Sequence, residues 1–179
     1  MKRIFFFLFS FIFISSTWSQ EIGYTTTDVG GEFQWHKNGT IYALHLAFNS
    51  KLNKAFNIRF GYNKTDRDGE LHDNEKGSGW GGTLGYRYYF TPFPHKFFIG
   101  IKSDLWRMKV DWTKGVQSGV SKLWVVQPTL ELGYLFFIND QAFITPTIAN
   151  GVAINLATDG EEVGKGFIML IGLSAGVRF

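Results

Sequence analysis

Residues 171–179 read IGLSAGVRF, and bulky apolar residues alternate there with small or charged ones. The apolar members share one parity: Ile171, Leu173, Ala175, Val177 and Phe179. The other parity holds Gly172, Ser174, Gly176 and Arg178. Successive side chains of a β-strand point to opposite faces of the sheet. The stretch therefore predicts a strand with one apolar face and one small or polar face.

The same period of two recurs along the chain, for example over 80–90 and 124–136, where aromatic and aliphatic residues occupy every second position. Strands of this kind, separated by turn-forming residues, indicate an all-β fold. We predict eight strands, at 22–31, 41–49, 54–64, 79–91, 96–110, 122–137, 142–156 and 164–179.

The predicted connections alternate in length. Those at 32–40, 65–78 and 111–121 are long, those at 50–53, 91–95 and 138–141 are short, and the one at 157–163 is intermediate. A transmembrane β-barrel has tight turns at one rim and extended loops at the other. We therefore predict an eight-stranded antiparallel up-and-down transmembrane β-barrel, and the even strand count puts both termini at one rim.

Aromatic residues gather near both ends of the predicted strands, as two membrane-interface girdles would require. Near the long connections lie Trp80, Trp106, Trp112 and Trp124; near the short ones lie Tyr88, Phe90, Phe97, Phe136 and Phe143. The alternative is a soluble eight-stranded barrel of the lipocalin type, whose apolar face points inward. Eight strands enclose only enough space for packed side chains, and many inward aromatics would overfill it. The apolar face is therefore expected to contact lipid.

The N-terminal end has the pattern of a secretory signal peptide. Lys2 and Arg3 precede an apolar run over 4–14, and small residues follow up to Ser19. An uncleaved anchor is the alternative, but eleven apolar residues are too few to span about 30 Å of hydrocarbon as a helix. We expect a signal peptide at 1–19 and one barrel domain at 20–179. Without Lys2 and Arg3 the formal charge of +3 falls to +1, which gives no reason to expect a nucleic-acid partner.

The signal, the eight strands and the last strand, GFIMLIGLSAGVRF at 166–179, resemble the small outer-membrane barrels of Gram-negative bacteria, the class of the OmpA membrane domain, OmpX and OmpW. The resemblance implies an outer-membrane location, periplasmic termini, and contact with outer-membrane lipid or lipopolysaccharide. It also implies that Phe179 is an assembly signal read by the barrel-insertion machinery. A lipid-facing strand end is the plainer interpretation of Phe179. The function expected is non-enzymatic: envelope integrity, surface interaction through the outer loops, or limited passage of a small solute.

The inward parity of the predicted strands carries a polar network. Its charged or titratable members are His45, Arg59, Arg87, Lys102, Asp104, Glu131 and Arg178. Its uncharged members are Asn57, Asn63, Gln127, Thr129, Thr145, Thr147 and Asn155. Charges in a narrow dry tube must pair with one another. An ion-paired plug is the favoured interpretation, and a gated solute path between the charges remains open.

Enzyme chemistry finds little support in the sequence, and we predict no catalytic site. The lipid A deacylases carry a His-x-Ser pair late in the chain, whereas the last histidine here is His95. The lipid A palmitoyltransferase PagP uses a histidine with an Asp-Ser pair. The nearest candidate group here is His45 with Ser103 and Asp104, in reversed order. A buried, hydrogen-bonded His45 is the simpler interpretation.

Two further features suggest ligand contact. Pro128 and Pro146 lie on consecutive predicted strands and lack the N–H of a closed ladder, so they are a candidate lateral gate of the kind PagP has, or mark a chance bulge. The connections at 65–78 and 157–163 are acidic and suggest divalent cations as possible partners. No motif for a resident metal is present, so a hydrated charged loop is the simpler interpretation, and no cofactor is expected.

Overall fold

The computed structural model describes residues 24–67, 74–161 and 166–179, and the predicted signal peptide lies outside them. The strands are β1 Tyr24–His36, β2 Gly39–Ser50, β3 Lys54–Arg67, β4 Asn74–Tyr89, β5 Lys96–Lys114, β6 Gln117–Phe137, β7 Ala142–Asp159 and β8 Gly166–Arg178. Each pairs antiparallel with its neighbour in the chain, and β1 also pairs with β8, so the sheet closes into a barrel. Throughout these ranges no helix is long and apolar enough to cross a membrane.

The barrel has two rims. The terminal rim carries the start of β1, the end of β8 and the turns at 51–53, 90–95 and 138–141. The distal rim carries the remaining connections, of which 37–38 and 115–116 are two-residue hairpin turns. Gly115 has a φ of +58°, which suits a tight turn that a side chain would strain.

The predicted long connections at 32–40 and 111–121 are wrong. β1 continues through His36, and the ladder between β5 and β6 continues through Lys109 opposite Lys122 to Lys114 opposite Gln117. The segments looked like loops because they are polar. Their polarity marks contact with water beyond the apolar band, and the backbone keeps its hydrogen-bonded pairing there.

The outer surface of the barrel is apolar and its interior is largely polar. Leu44 is 71% exposed and Trp80 60%, whereas the intervening parity is buried. All eight predicted strands are present. The structure thus confirms the fold class, an eight-stranded antiparallel up-and-down β-barrel with its apolar face outward.

Three residues assigned to the girdles lie inside instead. Trp106 and Phe143 are each 1% exposed, and Trp112 packs against the interior. Trp106 and Trp112 share the parity of Lys102 and Asp104, so the period of two places them inward with those charges. The parity of a residue along its strand therefore predicts whether its side chain points inward or outward better than its distance from a rim does.

Two apolar clusters fill the ends of the interior. The terminal cluster comprises Ala55, Tyr89, Phe98, Leu135 and Phe143. The distal cluster comprises Ile41, Trp106, Met108, Val110, Leu123, Val125, Ala149 and Leu170. By their positions along the strands, most buried charges lie between the two clusters, whereas Asp28 lies at the terminal rim and Glu75 at the distal rim.

Candidate functional site

Six ionisable side chains form a charged layer across the middle of the barrel. They are Glu32, Arg59, Arg87, Lys102, Asp104 and Glu131, and each side chain is no more than 4% exposed. Three cations face three carboxylates, so the layer carries no net charge. A dry interior favours such balance because an unpaired charge there is costly.

Arg59 spans the lumen. From β3 its Nη1 donates to Glu32 Oε1 of β1 at 2.6 Å, and its Nη2 donates to Asp104 Oδ1 of β5 at 3.2 Å. Strands β1 and β5 are half a barrel apart in the strand order, so one guanidinium joins opposite walls. Both carboxylates receive a further donor, because Gln34 Nε2 donates to Glu32 and the Thr83 hydroxyl donates to Asp104.

Glu131 is the second centre of the layer. Arg87 Nε donates to its Oε2 at 2.8 Å, and Lys102 Nζ lies 3.3 Å from its Oε1. The Arg87 guanidinium also lies 4.5 Å from the centre of the Phe98 ring, which links the layer to the terminal cluster. Glu131, its two cations and the Phe98 ring thus form one contiguous group inside the barrel.

Two predicted members of the network sit apart from the layer's ion pairs. His45 is buried, with Nε2 3.1 Å from Asn57 Oδ1. Arg178 lies at the terminal rim, where its guanidinium donates to both oxygens of Asp28 at 2.6 and 2.7 Å and to the carbonyl of Pro94 at 2.7 Å. The rim ion pair therefore joins β1 to β8 and is separate from the charged layer.

The sequence analysis missed one carboxylate in each group. Glu32 and Asp28 are 5% and 1% exposed, and they add a carboxylate to the charged layer and to the rim ion pair, respectively. The signal was present in β1, where Asp28, Glu32 and Gln34 share a parity opposite to that of Phe33. Glu32 was overlooked because 32–40 was assigned to a loop, and Asp28 was overlooked although it lies within the predicted strand at 22–31.

The candidate catalytic group does not assemble. Ser103 is exposed on the outer face of β5, whereas Asp104 and His45 are buried inside. Adjacent strand residues point to opposite faces, so Ser103 and Asp104 cannot face one substrate from inside the barrel. The grouping of His45, Ser103 and Asp104 is therefore corrected by the structure.

Pro128 and Pro146 interrupt the same junction. Pairing of β6 with β7 runs from Thr129 opposite Gly151 to Gly133 opposite Thr147, but the pairs at 127–128 and 134–135 are missing. Pro128 keeps its pairing with β5, and Pro146 keeps its pairing with β8. Both missing N–H groups thus face the β6–β7 junction, which we call the proline seam.

A cavity of about 120 Å³ opens at the distal rim. Its polar wall includes His36, Asn63, Arg67 and Glu75, and its apolar wall includes Trp106, Met108, Val110, Leu123, Val125 and Ala153. We call it the mouth cavity. Trp106 Nε1 donates to Gln127 Oε1 at 2.9 Å, and Arg67 Nε donates to Glu75 Oε2 at 2.6 Å, so these groups are already satisfied.

The acidic connections are only partly described. Asp66 lies 3.7 Å from Lys76, and Glu75 is paired with Arg67. Among the residues with described positions, no group of three or more acidic or histidine side chains is placed to hold a metal ion. Asp159 and Glu161 are exposed, and the other acids of these connections lie outside the described ranges: Asp68, Glu70, Asp73 and Glu162.

A closed eight-stranded barrel with an apolar outside and a charged interior is the architecture of the small outer-membrane β-barrels. The chain is similar to the N-terminal β-barrel domain of Pseudomonas aeruginosa OprF, with 10% identity, a TM-score of 0.53, and coverage of 88% of this chain and 99% of that domain. It is also similar to Yersinia pestis Ail, the attachment invasion locus protein, with 10% identity, a TM-score of 0.51 and coverage of 86% and 95%. Ail in complex with the heparin analogue sucrose octasulfate gives a TM-score of 0.50 at the same identity. No protein-family model matches the sequence, and no curated protein matches it. At such identity the likeness shows the fold.

Proposed function

We propose that this protein is a non-enzymatic outer-membrane barrel with a closed lumen and periplasmic termini, which supports envelope integrity and presents its distal hairpins at the cell surface. The charged layer carries the proposal. Arg59 joins opposite walls, and the layer's ion pairs leave its charges neutralised. An eight-stranded interior filled in this way favours a plug over a solute path.

Conductance across a planar lipid bilayer tests the closed lumen. We expect the wild-type barrel to give no steady conductance, and the triple variant Glu32→Ala, Arg59→Ala, Asp104→Ala to give discrete openings. Arg107→Ala is the matched control, because Arg107 is an exposed cation on the outer face of the same barrel. Steady wild-type conductance, together with uptake of small sugars into vesicles, would overturn the proposal.

A band of exposed cations at the distal rim supports lipopolysaccharide as the lipid partner and the distal rim as the outward one. The band comprises Lys64, Arg107, Lys109 and Lys122. Arg107 is level with the outward Trp80 and Trp124, and the three lysines lie two residues further toward the distal rim. Lys109 and Lys122 are directly opposite each other on the outer face, and Asp159 of β7 lies opposite Lys122 on its other side, so one carboxylate faces two lysines and a further counterion is favourable. Phosphates of lipid A lie at this depth, just beyond the aromatic girdle, and would supply that counterion.

Nanodiscs that contain either lipid A or its dephosphorylated form test this contact. We expect lipid A to raise the midpoint of thermal unfolding of the wild-type barrel relative to the dephosphorylated form. The double variant Lys109→Gln, Lys122→Gln should lose that difference. Lys51→Gln with Lys96→Gln, two exposed lysines at the terminal rim, should keep it. Equal midpoints of the wild type in both lipids would contradict the contact.

Phe179 is proposed as the assembly signal for the barrel-insertion machinery. Its side chain is 72% exposed on the outer face, and its N–H and carbonyl each bond to Thr27 at 2.9 Å, so it ends the strand that closes the barrel. Replacement by serine should slow insertion into membranes that carry the machinery. Folding into synthetic vesicles should change little, because no receptor is involved there.

The proline seam favours a second candidate function, lateral passage of a lipid or small ligand between β6 and β7. Two interruptions lie on one junction, and a register shift at 124–125 lies on the same junction. Fewer ladder hydrogen bonds lower the free energy needed to part these strands.

A further inference from the structure

We propose that the mouth cavity is a binding site for a small uncharged amphipathic molecule, namely one apolar ring or short branched chain that carries a single hydroxyl group. This activity goes beyond the structural and surface role proposed above. It rests on the size of the cavity, the division of its walls and two buried polar atoms that lack a well-formed hydrogen bond within the described ranges.

The size of the cavity limits the apolar part of the ligand. A volume of about 120 Å³ is slightly below the ~150 Å³ of an engineered apolar cavity that binds benzene. One apolar wall is continuous from Trp106 through Met108 to Val110 on β5, and Leu123 and Val125 on β6 extend it. A single six-membered ring or a chain of similar volume fits this space.

Two unsatisfied atoms on the opposite wall define the polar part. The His36 and Asn63 side chains line the cavity and interact with each other, but neither His36 Nε2 nor Asn63 Oδ1 has a partner at full hydrogen-bonding geometry in the part of the chain that the structure describes. The His36 and Asn63 residues are 8% and 3% exposed. Buried polar groups without partners are rare because each costs the free energy of its lost hydration. Such a pair is expected where a ligand completes the bonding.

The chemistry of these atoms selects a hydroxyl. The backbone N–H of Asn38 donates to His36 Nδ1 at 3.4 Å, which assigns the proton of a neutral His36 to Nε2. Nε2–H is then a donor, whereas Asn63 Oδ1 only accepts. One hydroxyl group accepts from the first and donates to the second. A carboxylate lacks the proton for Asn63, and Arg67, the only cation among the described residues of this wall, is already paired with Glu75.

The two methionines of the barrel domain provide a reporter and its control. Met108 lines the cavity, whereas Met169 is 43% exposed on the outer face and reports partitioning into lipid. The barrel, labelled with ¹³C at the methionine methyl groups, is placed in lipid nanodiscs and titrated with phenol, toluene and benzoate. We expect phenol to shift the Met108 signal saturably without an equal shift at Met169. Toluene should bind about tenfold more weakly, because it leaves the two polar atoms unpaired. Benzoate should bind no better than toluene.

Two variants separate the site from its surroundings. Asn63→Leu removes the acceptor at similar volume and should bring the phenol affinity down to that of toluene. Ala153→Leu fills the cavity and should abolish saturable binding of both, and circular dichroism checks that each variant is folded. The proposal fails if Met108 and Met169 shift in parallel and without saturation, if benzoate binds as tightly as phenol, or if folded Ala153→Leu binds phenol unchanged.

Discussion

Arg59 and Glu32 share a 2.6 Å ion pair that joins β3 to β1, two strands with β2 between them. The contact therefore crosses the interior and is not a neighbour contact along the sheet. With Asp104 as its second partner, Arg59 holds three separate parts of the wall at fixed distances. Its contribution to stability is that of a buried network in which each member depends on the others.

Arg59→Met should be strongly destabilising. It leaves Glu32 and Asp104 buried without their cation, and loss of one partner of a buried pair costs about 3–5 kcal/mol. The triple variant Glu32→Gln, Arg59→Met, Asp104→Asn should recover about half or more of that loss, because no charge remains unpaired. Equilibrium unfolding in urea from lipid vesicles measures both. A triple variant less stable than Arg59→Met would contradict this account.

Arg178→Met should loosen the β1–β8 junction without opening the plug. The substitution removes both hydrogen bonds to Asp28 and the contact with the Phe137 ring, whose centre lies 4.7 Å from the guanidinium. Hydrogen exchange at the Thr27 and Phe179 amides, which close this junction, should become at least about tenfold faster, as expected for a loss of about 1.4 kcal/mol or more of local stability. Amides of β4 next to Arg87 should be unaffected.

The proline seam should be the weakest junction in the barrel wall. Amides that face it, such as those of Val126 and Val152, should exchange faster than amides at equal depth between β2 and β3, where pairing is unbroken. Pro128→Leu restores the backbone N–H that points toward β7 and keeps an apolar side chain toward lipid. Amide exchange at the proline seam should slow by about fivefold or more, equivalent to one hydrogen bond of about 1 kcal/mol. If the variant slows exchange but leaves the entry of a lipid or small ligand between β6 and β7 unchanged, lateral passage at this position is excluded.

Gly133→Ala should cost about 1–3 kcal/mol through overpacking. A Cβ at this position would lie 2.4 Å from the Phe98 ring and 2.9 Å from the Thr147 methyl group. Gly31→Ala is the matched control, since Gly31 is exposed on the outer face of the barrel and a Cβ there would meet nothing within 4 Å. Equal unfolding free energies of the two variants would show that Phe98 has room to move.

The period of two predicted the fold well because it follows from strand geometry, which holds whatever surrounds the strand. Strand ends were predicted less well. The turn at 37–38 is only two residues long and Gly39 already pairs with His36, yet the polarity of 32–40 was taken to mean a loop, and Glu32 was lost with it. The mouth cavity was not predictable at all. It requires His36, Asn63 and Met108 to lie at one height, and only the register between strands sets that height.

The charged layer has a consequence for how the chain enters a bilayer. Arg59 on β3 finds its carboxylates on β1 and β5, and Arg87 on β4 finds its carboxylate on β6. The hairpin of β3 and β4 therefore carries two cations and neither of their counterions. Insertion of one hairpin at a time would drag those cations through hydrocarbon at a cost of about 2–4 kcal/mol each. That cost favours insertion of a nearly complete barrel, in which both cations already have their carboxylates, over insertion of one hairpin at a time.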